Sequence, residues 1–370
     1  MRLLDRFLLR ELAIPLAYCL AGCLIFWISF NLLHDIDDFQ QDHLRALDII
    51  EIYWVRMPDL LVIVLPVGFL LALLYTLANH SRHHELTAMR SAGISLWRIC
   101  VPYLAVGFFL SVAMFWISEH LAPTSQERER RIRARRMPEG SEEQWIQALN
   151  FRNARDNRIW TVSAYNPDTL EMRGPQVDWR LSDGSRRTLI ARTAMRTNNI
   201  WQFSNVQFFV YPAGKTDINT VAIRTNVMAM PEFTETPADI SVMIKFSRMN
   251  AINASKRAHL SLAEIDYIEK HLELNPRDHA MLETQRHARM AQPWTCLIVA
   301  LIAIPFGAAS GRRNVFIGVA LSIFICFAYM VLQPLGLALA NGQFIPPALG
   351  AWFPNALFAA TGLWLTNRVK

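Results

Sequence analysis

The sequence predicts a membrane α-helical protein with six spans in a 3+3 arrangement and an inserted all-β domain of jelly-roll-like type. Three observations predict it. Apolar residues, which make up 52% of the chain, gather into uncharged runs long enough to cross a hydrocarbon core of about 30 Å. The stretch between the third and fourth runs changes to short alternating segments. Lys and Arg concentrate in one set of short loops.

Five apolar runs define the spans: 12–33, 60–79, 99–118, 290–311 and 314–366. The last run is too long for one helix, and Asn341-Gly342 and Pro346-Pro347 mark a turn near its middle. It therefore counts as two spans. The first run is longer than the apolar stretch of a cleaved signal and is followed by acidic residues instead of a small-residue cleavage site, so we expect a retained helix.

The orientation follows from the short loops. On one side they carry ten positive residues: Arg2, Arg6, Arg10, Arg82, Arg90, Arg98, Arg312, Arg313, Arg368 and Lys370. The opposite loops hold only Arg45 and Arg56 among seven acidic residues. Positive loops stay cytoplasmic, which predicts a multi-pass inner-membrane protein with both termini cytoplasmic and the middle domain periplasmic.

One basic cluster argues against this orientation. Six arginines between positions 128 and 136 follow the third span on the side assigned as external. We keep the assignment because a long domain translocates largely regardless of its charge. No interleaving of basic and stacking aromatic residues supports a nucleic-acid partner, so the net charge of +6 is assigned to topology.

The middle domain has the alternation of strands. Period-two segments bounded by turn residues predict strands at 145–150, 159–164, 177–181, 188–195, 201–211 and 221–228, arranged as a sandwich or jelly roll. Ser261 and Glu264 then form a capping box ahead of a helical connector. The expected boundaries are 1–118 for the first three spans, 119–248 for the β domain, 249–289 for the connector and 290–370 for the last three spans.

Signals for catalysis, cofactors and metals are missing. The segment 307–311 lacks the lysine of a phosphate-binding loop, so any ATPase must be a separate protein. His80, His83, His84 and Glu85 do not have the His-Glu-x-x-His spacing of a metal site, and all five cysteines fall inside apolar runs. We predict no catalytic residue, no cofactor and no metal.

The loop between the second and third spans is the most informative. Good helix formers run from Glu85 and end at Gly93, which predicts a short cytoplasmic helix near 83–95. Its small-residue surface with one acidic and one basic residue suits docking into a partner's groove. A simple role in capping the membrane surface stays open.

Four stretches resemble one family. The segments 85–95, 4–11, 119–123 and 344–355, the last reading Phe-Ile-Pro-Pro-Ala-Leu-Gly-Ala-Trp-Phe-Pro-Asn, are similar to the LptF/LptG permeases that extract lipopolysaccharide from the inner membrane of Gram-negative bacteria. The resemblance implies a second LptF/LptG-type permease, an LptB-type ATPase dimer, a periplasmic bridge protein and a single-span LptC-type subunit. It also implies that the first and fifth spans line a lateral gate. Whether the chain is the F-type or the G-type partner stays open.

The resemblance also suggests site residues. Glu85, Met89 and Arg90 would contact the ATPase. Phe203, Phe208 and Phe209 would line an acyl-chain path through the β domain, unless these aromatics only fill its core. The lipid headgroup would meet Arg286, Arg289, Arg133, Arg136 and His34, because arginine pairs phosphate oxygens bidentately. His34 departs from the family, which tends to carry a lysine or arginine there. The alternative function is a membrane-anchored periplasmic receptor or scaffold without transport activity.

Overall fold

The structure of the protein is a computed structural model that describes residues 3–135, 145–153, 156–181, 184–212, 221–250, 260–271, 274–307 and 315–368. The chain divides into two compact units. The helical unit comprises Met1–Glu129 and Pro276–Lys370, and the sheet unit comprises Arg130–Asn275. The segment 308–314, which includes Arg312 and Arg313, lies outside the described residues, as does Arg136.

The N-terminal part is helical, with α1 Leu3–Gln41, α2 Ala46–Arg82, α3 Glu85–Ser91, α4 Leu96–Trp116, a π-helical turn Ile117–Leu121 and α5 Ala122–Ala134. The C-terminal helices are α8 Pro276–Ala291, a 3-10 turn Gln292–Trp294, α9 Thr295–Gly307, α10 Val315–Asn341 and α11 Pro347–Arg368. The separation of α10 from α11 confirms the turn predicted inside the last apolar run. The helical membrane fold with an inserted β domain is likewise confirmed.

Among the described residues, five helical segments are long and apolar enough to cross a membrane, by length and composition: Leu3–Gln41, Ala46–Arg82, Leu96–Ala134, Pro276–Phe306 and Ala320–Asn341. Helix α11 is not among them, although its 22 residues would span about 33 Å at 1.5 Å per residue. The count of six spans therefore stays a prediction.

The fourth span is interrupted where a 3-10 turn joins α8 to α9, and side chains from two other helices satisfy the break. Asn355 of α11 donates its amide to the Ala291 carbonyl at 2.8 Å and accepts the Tyr329 hydroxyl of α10 at 2.8 Å. The Thr295 hydroxyl lies 3.0 Å from that of Tyr329. Inserted polar groups are a usual way to satisfy backbone atoms at a helix break in lipid. These four residues, Ala291, Thr295, Tyr329 and Asn355, are called the Asn355 network below.

Helices α10 and α11 approach each other through glycine. A Cβ built on Gly336 would lie 2.4 Å from the Gly350 carbonyl oxygen, and one built on Gly350 would lie 2.6 Å from the Gly336 carbonyl oxygen. Small residues allow this backbone contact, which is how membrane helices gain packing energy without a hydrophobic driving force.

The sheet unit contains one antiparallel sheet whose strands are β1 Ile146–Asn153, β2 Arg158–Asn166, β3 Glu171–Arg173, β4 Gln176–Arg180, β5 Arg186–Ile190, β6 Thr193–Thr197, β7 Ile200–Tyr211 and β8 Val221–Met230. The pairing register is continuous from β3 into β4 and from β5 into β6, so each pair acts as one kinked strand. The sheet is thus a meander in which neighbours in sequence are neighbours in the sheet. The strand predicted at 188–195 is divided at Ala191–Arg192 into β5 and β6, the two halves of one kinked strand, and β3 was not predicted.

The kinks line up as a crease across the sheet. Inward-facing and outward-facing residues alternate along each strand, and this alternation shifts by one residue at Gly174, Arg192 and Asn205. These three residues lie on successive strands of the sheet. Gly174 and Asn205 have positive φ values of 58° and 53°. Hydrogen bonds from Gly174 N to Arg192 O and from Arg192 N to Ser204 O keep the ladder paired through the crease. It therefore bends the sheet like a row of β-bulges without changing its register.

The sheet curls around an aromatic core. The rings of Trp160 on β2 and Trp201 on β7 lie 5.8 Å apart. In the sheet, two kinked strands, β3–β4 and β5–β6, separate β2 from β7. A flat sheet would keep them roughly 14 Å apart at about 4.8 Å per strand. Phe233 packs edge-on against Trp160, Trp179 and Phe203 inside the curl.

The described part of the sheet unit also includes the helices α6 Pro237–Asn250 and α7 Leu262–His271. Ile240, Met243 and Ile244 of α6 belong to the same buried cluster as the sheet aromatics. The predicted capping box of α7 is confirmed, because Glu264 N donates to Ser261 Oγ and Ser261 N donates to the Glu264 carboxylate.

Candidate functional site

The predicted cytoplasmic helix corresponds to α3. Its first residue follows His84, which has a positive φ of 61°, and its end is fixed by Gly93 at φ 82°. Ile94 N donates to the Met89 carbonyl, which closes the C-terminal turn. A seven-residue helix between two spans is thus held at both ends by sharp backbone turns.

Glu85 joins this helix to the end of α2. Its carboxylate Oε2 lies 2.5 Å from His80 Nδ1 on α2, and the Phe7 ring of α1 lies 5.9 Å from the His80 ring. His80 is 1% exposed, whereas the Glu85 side chain is 39% exposed. One carboxylate therefore links α3 to a buried imidazole of α2 and still reaches the surface.

The other two predicted contact residues differ in position. Met89 is half-buried and packs against the core of the helical unit. Arg90 is half-exposed in the last turn of α3. The exposed surface of this helix is made by small residues, Thr87, Ala88 and Ser91. Glu85 and Arg90, which flank that surface, are better placed than Met89 to contact another protein.

The predicted headgroup residues that the structure describes differ in exposure. Arg289 is 9% exposed and donates to the Ser118 carbonyl at 2.7 Å, beside the π-helical turn. Arg286, one turn earlier on α8, is half-buried and lies closer to solvent. His34 is exposed on α1. Arg133 is half-buried in the sheet unit, and Arg136 lies outside the described residues.

A cationic residue that the sequence analysis did not single out occupies the same end of the helical unit. Arg56 on α2 bonds both carboxylate oxygens of Glu129 at 2.5 and 2.6 Å and the Asp35 carboxylate at 2.5 Å. It thus ties α1, α2 and α5 together, with its charge compensated by two carboxylates. The sequence signal that could have identified Arg56 was its position as a lone arginine among acidic residues beside an apolar run.

The predicted acyl-chain residues lie on two faces of β7. Phe203 is fully buried, and Phe208 is 9% exposed beside Trp179, with ring centroids 5.9 Å apart. Phe209 alternates to the opposite face and is half-buried. The concave face is filled by Phe233 and α6, so its aromatics form a packed core in this conformation.

Comparison with known proteins identifies the family. The family model described as lipopolysaccharide export system permease LptF/LptG matches residues 6–368 of the chain. Comparison with curated protein sequences gives no matching relative. The match covers the helices on both sides of the sheet and the sheet itself. With its apolar helices, it makes the protein a multi-pass inner-membrane transport component, not an enzyme. The chain therefore belongs to the LptF/LptG family of lipopolysaccharide export permeases.

Proposed function

We propose that the chain is one permease subunit of an ABC transporter that extracts lipopolysaccharide from the inner membrane and passes it through its β domain to a periplasmic bridge protein. The observation that carries this proposal is the family match over residues 6–368. A second LptF/LptG-type permease, an LptB-type ATPase dimer and an LptC-type single-span subunit would complete the assembly. Both termini would be cytoplasmic and the sheet unit periplasmic.

The exposure of the spans supports a lateral gate at α1 and α10. Only 6% of the apolar window of α1 and 17% of that of α10 is buried within the chain, against 67% for α2 and for the span formed by α8 and α9. Apolar surface left open within one subunit is the surface that lipid or a second permease would cover. These are the first and fifth spans, where lipid would enter.

The helix α3 would receive the ATPase. Its small exposed surface fits a groove, and the Glu85–His80 contact would pass ATPase movement into α2. A buried charged contact at an interface costs about 2–5 kcal/mol when one partner is truncated. Glu85→Ala should thus leave membrane insertion unchanged while uncoupling ATP hydrolysis from export.

The acyl chains would enter the concave face of the sheet. Because Phe233 and α6 fill that face, lipid entry requires α6 to move away from Phe203 and Phe208. Photo-crosslinkers at Phe208, at the edge of the core, should capture lipid during ATP-driven export, whereas crosslinkers at the exposed Gln202 should not. Capture at neither position would leave the aromatics as ordinary core residues.

The deciding experiment is purification followed by reconstitution. The chain should copurify with an ATPase and a second permease, and proteoliposomes of the complex should release lipopolysaccharide only with ATP. Glu85→Ala should abolish release, and Asp168→Ala, which removes an exposed carboxylate from a hairpin loop of the sheet, serves as the matched control. A membrane-anchored receptor or scaffold would bind periplasmic partners but neither copurify with an ATPase nor release lipid.

A further inference from the structure

The outer face of the sheet carries a cavity that the export path described above does not use. It has a volume of about 340 Å³ and is lined by Arg152, Asn157, Ile159, Asp178, Trp179, Arg180 and Arg186. This volume lies at the small end of the usual range for ligand sites, roughly 300–1,000 Å³. The cavity therefore suits a compact group.

The register of the sheet places these residues together. Arg152 on β1 pairs with Ile159 on β2, which pairs with Asp178 on β4. Arg180 on β4 pairs directly with Arg186 on β5. Side chains alternate along a strand, so Asp178 and Arg180 share the outer face while Trp179 between them packs in the core. Three arginines from three strands are thus fixed by backbone pairing around one cavity.

Asp178 is already occupied by donors. Its Oδ1 accepts from Arg186 Nη2 at 3.0 Å and from Thr188 Oγ1 at 2.5 Å, and its Oδ2 accepts from Gln176 Nε2 at 2.8 Å. Burial raises the pKa of this carboxyl, but the hydrogen bonds outweigh burial and hold the pKa below its usual value. The carboxylate stays ionised and positions Arg186. Among the described residues that line the cavity, three guanidinium groups surround one carboxylate.

Arg180 and Arg186 place two like charges opposite each other, and the Asp178 carboxylate that accepts from Arg186 offsets part of their repulsion. Like charges directly opposite each other on neighbouring strands destabilise a sheet. Both side chains are exposed, and Arg186 also lies over the Tyr211 ring at 5.9 Å. An anion between the two guanidinium groups would convert this repulsion into two attractive contacts.

We propose that this cavity binds a phosphate group, held between Arg180 and Arg186 with Arg152 on the far wall. Arginine presents a planar fork of donors that matches phosphate oxygens. An acidic protein segment is the less favoured occupant, because the charge is confined to a small concave site instead of following a strand edge. The identity of the carrier rests on the proposed function: it would be the phosphorylated saccharide of the exported lipid, held outside the sheet.

The test is binding of a phosphate probe to the full chain in detergent, without ATPase or ATP. Pyrophosphate binding is measured by isothermal titration calorimetry. The double substitution Arg180→Gln with Arg186→Gln should weaken binding at least tenfold. Arg192→Gln, which changes an exposed arginine of the same sheet outside the cavity, should leave it unchanged. Equal binding by the double variant and the wild type would overturn the proposal.

Competition experiments distinguish which molecule carries the bound phosphate group. A bisphosphorylated glycolipid that competes with pyrophosphate, while its dephosphorylated form does not, supports a lipid carrier. Competition by inorganic phosphate alone supports a site for the free ion. Displacement by an acidic peptide but by neither phosphate compound would overturn the proposal in favour of a protein surface. Near-ultraviolet circular dichroism verifies that the variants fold, and a double substitution to lysine should retain part of the binding because it retains the charge. Failed export with intact pyrophosphate binding would count against the proposed function alone.

Discussion

Replacing Asn355 by leucine tests whether the Asn355 network holds the interrupted fourth span. Leucine branches at Cγ as asparagine does, although it is larger, and it has neither donor nor acceptor. The substitution removes the hydrogen bond from the Asn355 side-chain amide to the Ala291 carbonyl. It also removes the hydrogen bond that Asn355 accepts from the Tyr329 hydroxyl; both bonds are 2.8 Å long. Asn355 is 5% exposed, so water cannot replace either bond without opening the packing of α8, α10 and α11.

The expected loss of stability follows from two bonds. Side-chain hydrogen bonds between membrane helices average about 0.6 kcal/mol and reach about 1.7 kcal/mol. Leaving a buried polar group unsatisfied costs about 1–3 kcal/mol. The Tyr329 hydroxyl keeps its neighbour Thr295 at 3.0 Å, so most of the penalty falls on the Ala291 carbonyl. We expect Asn355→Leu to lower the free energy of unfolding by about 1–4 kcal/mol.

The assay is unfolding of the full chain in mixed micelles by titration with a denaturing detergent, followed by tryptophan fluorescence. Asn367→Leu is the matched control, because Asn367 accepts an exposed bond from Trp97 at 3.1 Å and its loss should cost under about 0.5 kcal/mol. A double-mutant cycle with Tyr329→Phe should give a coupling energy above about 0.5 kcal/mol. The reasoning is refuted if the two asparagine variants unfold alike or if the coupling is zero.

Three further predictions concern other parts of the fold. Gly174→Val should destabilise the sheet by more than about 2 kcal/mol, since a Cβ there meets Ser163 Oγ at 2.5 Å and φ is positive; limited proteolysis of the sheet unit measures this, and unchanged cleavage contradicts it. Gly350→Leu should force α10 away from α11, because even a Cβ would lie 2.6 Å from the Gly336 carbonyl oxygen; a cysteine crosslink between the two helices should form more slowly, with Gly22→Leu, which has open space, as control. The folded-state pKa of Asp178 lies below its unfolded value, so its contribution to stability is present above about pH 4 and is lost as the pH falls through the folded pKa. Hydrogen-exchange protection of β4 and β5, corrected for intrinsic rates, should decrease as the pH is lowered in the wild type and should change less in Asp178→Asn. The same pH dependence of protection in both proteins would contradict this prediction.

Patterns of short range predicted the elements well. The turn between α10 and α11 was visible because Asn341-Gly342 and Pro346-Pro347 punctuate a continuous apolar run. The capping box at Ser261 and Glu264 was visible for the same reason, since both partners lie within one turn. Signals that depend on neighbours in sequence survive folding because local geometry fixes them.

Contacts between distant segments could not be predicted. Arg56 and Glu129 are 73 positions apart, and nothing in the sequence pairs them. Arg289 was predicted as a headgroup residue, and its hydrogen bond to the Ser118 carbonyl, 171 positions away, could not be predicted from the sequence. The strand predicted at 188–195 is divided in the structure because the crease interrupts its alternation. No proline or glycine in that stretch marks the interruption in the sequence.

The crease in the sheet restricts how the length of this chain can vary. In each of the three strands, the inward residues change between even and odd positions at Gly174, Arg192 or Asn205. Because the change occurs at paired positions, the pairing register between the strands stays the same. Deleting one residue at any of these positions would remove the shift from one strand only. The residues beyond it would then pair one position out of register with the neighbouring strands, which keep the shift. Natural insertions and deletions should therefore collect in the hairpin loops, such as 167–170, and avoid the crease.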